Sequence, residues 1–278
     1  MKIHKQYSTG ANKSPYDIRT FTYIPDKANI KGGKKWEEID IENQRRVGIC
    51  TGISVSMRAR KHFGIDFSDD FQYLMQKRWE QNWNEGSSIF VALTIGKTIG
   101  FLPQSEWKHT TLEDRDLPYT EYIKKLQAIP EEEIKRLSYI ASKYKIKAYA
   151  SIPVTRDNLA NAIDEQGALP VRFSVGNEWW TEPIEPLRPP QNVISGHAVN
   201  LTNYYGGSFR IANSWGVNWA DNGTAYFLLS QYRPTEAWGV WFAGVPKEIE
   251  EQIENRATII GKILDLLQQI IILVAKLT

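Results

Sequence analysis

The order of helical and strand-forming patterns is the feature that most limits the folds open to this 278-residue chain. Helix signals dominate up to about residue 166, and later segments are short, β-branched or aromatic, and separated by Gly, Asn and Pro. The predicted helices are Cys50–Phe63, 70–79, 89–99, 131–144 and 156–166, and the predicted strands are Thr20–Ile24, 145–150, Leu169–Val175, 198–204, 209–212, 224–229 and 240–243. Helices followed by strands indicate an α+β fold, not alternating βαβ units.

Residues suited to helix ends support several of these boundaries. Gly64 follows the first helix, and Ser68 with two aspartates precedes the second. Thr155 and Gly167 flank the 156–166 helix in the same way. Residues 100–120 contain two prolines and many polar residues, so they are predicted to form a loop.

A single cysteine, Cys50, excludes an internal disulfide and a cysteine-rich zinc site. The lone thiol and the lack of an apolar signal segment favour a cytoplasmic location, with a virion or host-cell interior as an alternative. A net charge of +2 is too balanced to indicate nucleic acid as a partner. No cofactor and no metal ion are expected.

Residues 1–35 form a basic N-terminal arm, with eight Lys and Arg residues against Asp17 and Asp26. The composition favours a solvated segment. Shielding of a cleft and docking on an acidic partner are the alternatives.

The last thirty residues carry apolar side chains at alternating spacings of three and four. Eight of nine such positions are apolar, the exception being Arg256: Ile249, Ile253, Arg256, Ile260, Ile263, Leu267, Ile270, Val274 and Leu277. This spacing predicts a coiled-coil helix over residues 247–278 that joins copies of the chain, most readily as trimers or tetramers. Packing on the preceding part of the chain is the alternative, and charged residues such as Asp265 argue against a membrane span.

Cys50 opens a predicted helix, where free N–H groups and the helix dipole favour a thiolate, the nucleophilic form of cysteine. A lone cysteine is more often a small buried apolar residue. A nucleophilic thiol needs an imidazole, and His197 begins a predicted strand, with Asn213 sixteen residues later just after the next strand. An antiparallel pair would bring the two together, so that Asn213 orients the imidazole and Trp215 shields their hydrogen bond from water.

Gln44, Gly48, Cys50, His197 and the run Asn213-Ser214-Trp215-Gly216 together resemble the papain-like cysteine peptidases of the C1 family. The segment at Gly86-Ser87 is similar to the one whose backbone pairs with extended substrate in that family. The resemblance covers residues 36–246 and implies two lobes, one helical and one an antiparallel β-barrel-like lobe, followed here by the C-terminal helix.

The resemblance implies a role for each matched residue. Cys50 would attack a peptide carbonyl, His197 would exchange protons, Asn213 would orient His197, and Gln44 would stabilise the oxyanion of the acyl-enzyme pathway. Gly86, Ser87 and Trp215 would contact a peptide or protein substrate. The chain departs from the family pattern at Thr51 and Ser87, and it lacks the family's disulfide cysteines.

The predicted function is therefore a cysteine endopeptidase that forms a thioester intermediate. Two alternatives keep the same fold. One is a catalytically idle structural or binding module in an oligomeric assembly, and the other is an acyl transferase that uses the same Cys-His-Asn site. Substrate preference, endo- or exopeptidase action and oligomer number do not follow from the sequence.

Overall fold

The computed structural model describes residues 7–15, 17, 20–25, 40–181 and 185–277. The helices are α1 (Cys50–Phe63), α2 (Asp69–Glu80), α3 (Ile89–Thr98), α4 (Tyr119–Gln127), α5 (Glu131–Ala141), α6 (Arg156–Gln166), α7 (Glu178–Thr181) and α8 (Lys247–Leu277), with 3₁₀ turns at Gln104–Glu106 and Glu113–Asp116. The strands are β1 (Ala148–Ser151), β2 (Leu169–Val175), β3 (Ser195–Tyr205), β4 (Ser208–Ala212), β5 (Thr224–Leu228) and β6 (Glu236–Trp241).

The six strands form one antiparallel sheet in the order β1-β6-β2-β3-β4-β5. The longest strand, β3, pairs with β2 along the whole length of β2 and continues into a tight hairpin with β4. With the helices mostly before the sheet in sequence, the α+β prediction is confirmed.

The helix ends follow the side-chain chemistry on which they were predicted. Gly64 adopts φ +65° after α1, and its N–H donates to the carbonyl of Arg60. The hydroxyls of Ser68 and Thr155 each accept a backbone N–H in the first turn of α2 and α6. These caps satisfy groups that have no partner inside the helix.

Three predictions are wrong in part. Residues 100–120 are not simply loop, because two 3₁₀ turns lie there and α4 begins at Tyr119, directly after Pro118. Proline fits the start of a helix, and α4 buries Tyr122 and Leu126 beneath it. The predicted strand at Thr20–Ile24 reduces to one bridge, between Thr22 and Ser151. The last strand begins at Glu236, four residues before its predicted start.

Helix α1 lies at the centre of the core of the first compact unit. Its first ten residues are all buried, and it packs against α2, α3 and β3. The core around it is continuous and reaches the sheet through Ala198, Ala212, Trp238 and Val240. Cys50 is therefore fixed at the N-terminal end of a helix that cannot shift without disturbing this packing.

The chain separates into two compact units at Phe242 and Ala243. In the second unit, α8 is 31 residues long. It carries a wide set of exposed apolar side chains: Ile259, Ile260, Ile263, Leu266, Leu267, Ile270, Ile271 and Val274. None of the helices in the described part of the chain has the length and hydropathy needed to cross a membrane.

Candidate active site

Cys50 is the first residue of α1, and its side chain is completely buried. The backbone N–H groups of Ala198, Gly10, Thr51 and Cys50 itself lie near the sulfur and lower the pKa of the thiol. Ala198 directly follows His197 on β3, so the sulfur is close in space to the strand that carries the imidazole. The N–H groups favour a thiolate, as expected for a helix N-terminus.

Burial nevertheless outweighs these donors. Removal from water raises the pKa of the Cys50 thiol to about 11, because the charged form loses its hydration. In this closed arrangement the sulfur carries its proton at neutral pH. The expectation of a thiolate from the helix dipole alone is therefore wrong for the site as the structure shows it.

His197 and Asn213 meet across the β3–β4 hairpin, as predicted. The Nε2 atom of His197 lies 2.7 Å from Oδ1 of Asn213. The backbone N–H of Ser214 also donates to that oxygen, at 2.7 Å. Because Ser214 supplies a donor, the atom of Asn213 that faces the imidazole must be the acceptor, and Nε2 must carry the proton.

The other ring nitrogen of His197, Nδ1, is therefore a lone-pair acceptor in the neutral imidazole. It is buried and has no hydrogen-bond partner in the described part of the chain. Burial lowers the pKa of His197 to about 4, although the bond to Asn213 opposes this shift. The ring is thus neutral at neutral pH, and Nδ1 is its acceptor nitrogen.

Trp215 covers the imidazole. Its ring stacks on His197 with centroids 4.5 Å apart, and both side chains are fully buried. Trp179 and Trp219 pack edge-on against Trp215, and Trp180 stacks on it. This aromatic cluster keeps water from the His197–Asn213 hydrogen bond, as predicted for Trp215 itself.

Gln44 is buried and bridges both sides of the site. Its Oε1 accepts the hydroxyl of Ser214 at 2.6 Å, which leaves the amide nitrogen facing the opposite way. That nitrogen donates to the carbonyls of Ser8 and Val47, at 2.9 and 3.0 Å. The amide nitrogen of Gln44 is therefore an oriented donor, and it already binds a carbonyl oxygen of the N-terminal arm, that of Ser8.

Part of the N-terminal arm lies across this site. Ser8, Thr9 and Ala11 are buried, which contradicts the prediction of a solvated segment and agrees with the alternative that the arm shields a cleft. Trp215 Nε1 and Gln44 Nε2 both donate to the Ser8 carbonyl. The basic residues Lys2, Lys5, Arg19, Lys27, Lys31, Lys34 and Lys35 lie outside the described residues.

The arm pairs with the segment predicted to bind extended substrate. The N–H of Ser87 donates to the Gly10 carbonyl at 2.8 Å, and the N–H of Asn12 donates to the Ser87 carbonyl at 2.7 Å. On the opposite side, the N–H of Ala11 donates to the Gly196 carbonyl at 3.0 Å. Ser87 and Gly196 thus hold one extended strand between them, directly over Cys50.

Glycine is required where the arm passes. A Cβ at Gly10 would lie 2.5 Å from the Gly48 carbonyl oxygen and 2.9 Å from the Gly86 Cα atom. A Cβ at Gly48 would lie 2.7 Å from the Thr9 carbonyl oxygen. These are backbone contacts that a side chain cannot avoid by rotating, so the fit depends on all three glycines.

The structure brings together Gln44, Cys50, His197, Asn213, Trp215 and the Gly86-Ser87 segment. Sequence reasoning missed Ser214 as the group that orients both Gln44 and Asn213. It also missed Trp179 and Trp180 of α7. The adjacent Trp-Trp pair was a usable signal, but nothing in its spacing linked it to His197.

Comparisons with known proteins bear on the fold. No protein-family model matches the sequence, and no curated protein matches it. Solved structures do match. Xylellain, a cysteine protease from Xylella fastidiosa, aligns over 88% of this chain and 99% of its own, with a TM-score of 0.74 and 24% identity. The chain has the papain-like fold.

Two further solved structures support the same conclusion at lower similarity. Digestive procathepsin L 3 of Tenebrio molitor aligns over 80% of this chain and 74% of its own, with a TM-score of 0.57 and 15% identity. The Carica candamarcensis cysteine protease CMS1MS2, in complex with E-64, aligns over 76% and 98%, with a TM-score of 0.54 and 16% identity. Identity at this level shows a papain-like fold, as predicted, and shows the fold alone.

Proposed function

We propose that the chain is a cysteine peptidase that hydrolyses peptide bonds through Cys50, His197 and Asn213. The observation that carries the proposal is the buried, partnerless Nδ1 of His197, held as the proton-accepting nitrogen by Asn213 and Ser214. A merely structural histidine has no reason to leave a buried nitrogen unsatisfied, because that costs free energy. A catalytic imidazole needs that nitrogen free.

The proposed reaction uses these groups as follows. His197 accepts the Cys50 proton, and the sulfur attacks the peptide carbonyl to form a C–S bond. Gln44 donates to the oxyanion that develops on the carbonyl oxygen. The C–N bond then breaks as His197 returns the proton to the leaving amine, and water hydrolyses the thioester with His197 as base. The products are an acid, an amine and the free thiol.

The arm must leave the cleft before a substrate binds. In the closed arrangement the Gly10 carbonyl accepts the N–H of Ser87, and the N–H of Gly10 lies near the sulfur. Its displacement returns water to Cys50 and removes the burial that raises the thiol pKa. The proposed peptidase is therefore silent in the closed arrangement and gains its nucleophile when the arm moves.

Covalent labelling tests the proposal. An epoxide such as E-64, followed by mass spectrometry, should modify Cys50 in the wild-type chain. Cys50→Ser keeps nearly the same side-chain volume and should abolish both labelling and hydrolysis of a fluorogenic peptide. Labelling with no turnover would identify an idle module, and product formation only with an added amine would identify an acyl transferase; either result overturns the peptidase proposal.

We further propose that α8 joins copies of this chain. The seam positions Ile260, Ile263, Leu267 and Ile270 are each about half exposed. Isoleucine and leucine repeat at both seam positions, which is the pattern that identical helices bury by packing together. A second copy of α8 therefore fits this surface by symmetry.

Light scattering tests this association. The full chain should form trimers or tetramers, and a Leu267→Glu/Ile270→Glu variant should be a monomer, since charges at the seam cannot be buried without partners. Lys262→Glu changes charge outside the seam and serves as the control. A wild-type mass equal to that of one chain would contradict the proposal.

A further inference from the structure

The segment that pairs with the arm at Ser87 is itself held by an unusual buried cation. Lys77 of α2 has a side chain that is 1% exposed. Its ammonium group donates to the carbonyl of Asn84 at 3.0 Å and to the carbonyl of Gly86. It also lies 2.7 Å from the carboxylate of Glu80. Burial of a lysine is costly, so these contacts must compensate for it.

The neighbouring tyrosine holds the same segment from another direction. The hydroxyl of Tyr73 accepts the N–H of Gly86 at 2.9 Å and lies 3.0 Å from the hydroxyl of Tyr119. Tyr119 gives its one proton to the Trp83 carbonyl, at 3.0 Å. The hydroxyl of Tyr73 must therefore donate to Tyr119, since each phenol has one proton.

These contacts divide the backbone groups of the segment into two sets. The carbonyls of Trp83, Asn84 and Gly86 and the N–H of Gly86 are all bound by side chains beneath them. The hydroxyl of Ser87 also points that way, donating to Glu80 at 2.8 Å. The backbone N–H and carbonyl of Ser87 are the groups left for the cleft, and there they bind the arm.

We propose that Lys77 is a positioning residue that holds the Ser87 backbone in register for an extended peptide. It does not touch the substrate, and it acts through Gly86 and Asn84. This inference rests on the peptidase proposal. The buried Lys77–Glu80 ion pair on α2 would strengthen the binding of an extended peptide to the Ser87 backbone. Loss of Lys77 should weaken the binding of peptides while leaving the chemistry of the thiol intact.

The arm and a peptide use the same Ser87 groups, so the test must separate them. Two reagents alkylate Cys50: a peptidyl chloromethyl ketone, which pairs with the cleft, and iodoacetamide, which does not. Both reagents react only when the arm is displaced. The position of the arm therefore cancels when the rate of alkylation by the chloromethyl ketone is divided by the rate with iodoacetamide. In Lys77→Met we expect this ratio to fall by about tenfold, the effect of losing roughly one buried hydrogen bond to a charged group.

Two further variants protect this test from misfolding. Tyr73→Phe removes only the hydroxyl that accepts the Gly86 N–H, and it should lower the same ratio by a smaller factor. Lys97→Met is the control and should leave the ratio unchanged. Lys97 lies over the ring of Tyr149, 5.8 Å from its centroid. Thermal unfolding of each variant shows whether it remains folded.

The outcomes distinguish this inference from the proposed function. A lowered ratio in both Lys77→Met and Tyr73→Phe supports it. The inference is overturned if both variants remain folded and neither changes the ratio. In that case Cys50 labelling still leaves the peptidase proposal intact. Failure of either reagent to label wild-type Cys50 overturns the peptidase proposal and this inference with it.

Discussion

The two sides of the cleft are stabilised by different kinds of interaction. On the helical side, buried cations are paired with carboxylates: Lys77 with Glu80, and Arg115 with Asp70 at 2.9 Å. On the sheet side, His197 lies among tryptophan rings and is held by a neutral amide. Burial lowers the pKa of His197 to about 4, and among the described residues no carboxylate opposes this shift.

This difference separates stability from chemistry. Fixed charges on the helical side hold backbone segments in place and change little during the proposed reaction. The sheet side carries a group that must gain and lose a proton, and its neutral surroundings let it do so without a competing ion pair. Predictions that disturb one side should therefore affect a different measurement from those that disturb the other.

The largest effect should come from the charged side. Arg115→Met leaves Asp70 buried without its cation, and it removes the donor to the Asn43 carbonyl. Breaking a buried ion pair in this way should lower the free energy of unfolding by about 3–5 kcal/mol. Urea unfolding measures it. Arg136→Met, which removes an exposed pair with Glu133, should cost far less; equal losses in the two variants would contradict the account.

Gln44→Ala tests the chemistry instead. Removal of one oxyanion donor should lower kcat by about 10²–10³-fold, with a smaller effect on stability than Arg115→Met. A fluorogenic peptide assay gives kcat. Gln166→Ala is the control, because the amide of Gln166 accepts the Val240 N–H and holds β6 instead. A Gln44→Ala variant with wild-type kcat would remove Gln44 from the proposed site.

The arm provides a gain-of-function test. In Gly10→Val, the side chain would collide with the backbone of Gly48 and Gly86, and overpacking of this kind costs about 1–3 kcal/mol. The open fraction, and with it the rate of Cys50 labelling, should rise by roughly 5- to 150-fold. Asn12→Ala changes an exposed side chain and should leave the rate near wild type. A slower rate in Gly10→Val would show that the arm does not cover the site.

A pH dependence of stability should appear on the sheet side. In the unfolded chain, His197 takes up its proton near pH 6.5, whereas in the folded chain its pKa is about 4. The unfolded state binds more protons between these values, so stability falls as the pH falls from 6.5 towards 4. His197→Phe should lose less stability over this range. An identical pH dependence in the two chains would contradict the burial of a neutral imidazole.

Much of the site could be predicted from the sequence because its signals are local. Cys50 opens a helix that Gly64 closes, and His197 and Asn213 flank one hairpin, so short-range patterns bring them together. The arm's position could not be predicted in this way. Its buried residues, Ser8 to Ala11, pair with Ser87 and Gly196, which are far away in sequence, and its small polar composition is also that of a solvated segment.

The function of Lys77 was hidden for a related reason. Near the end of an amphipathic helix, a lysine normally faces solvent, and only the tertiary structure shows that two loop carbonyls require its ammonium group. Helix α4 was not predicted because Pro118 is typical of a loop, whereas here it directly precedes the first helical turn. For Lys77, long-range contacts overrode the local tendency; for α4, the local signal of a proline at a helix start was missed.

The central claim is that Cys50 becomes a nucleophile when the arm leaves the cleft. The rate of Cys50 alkylation by iodoacetamide, measured across pH for the wild-type and Gly10→Val chains, tests it most directly. The midpoint of the rate against pH should lie near pH 11 in the wild-type chain, where the arm covers the thiol. It should move to lower pH in Gly10→Val, because water and His197 stabilise the thiolate there. The same midpoint in both chains would contradict the claim.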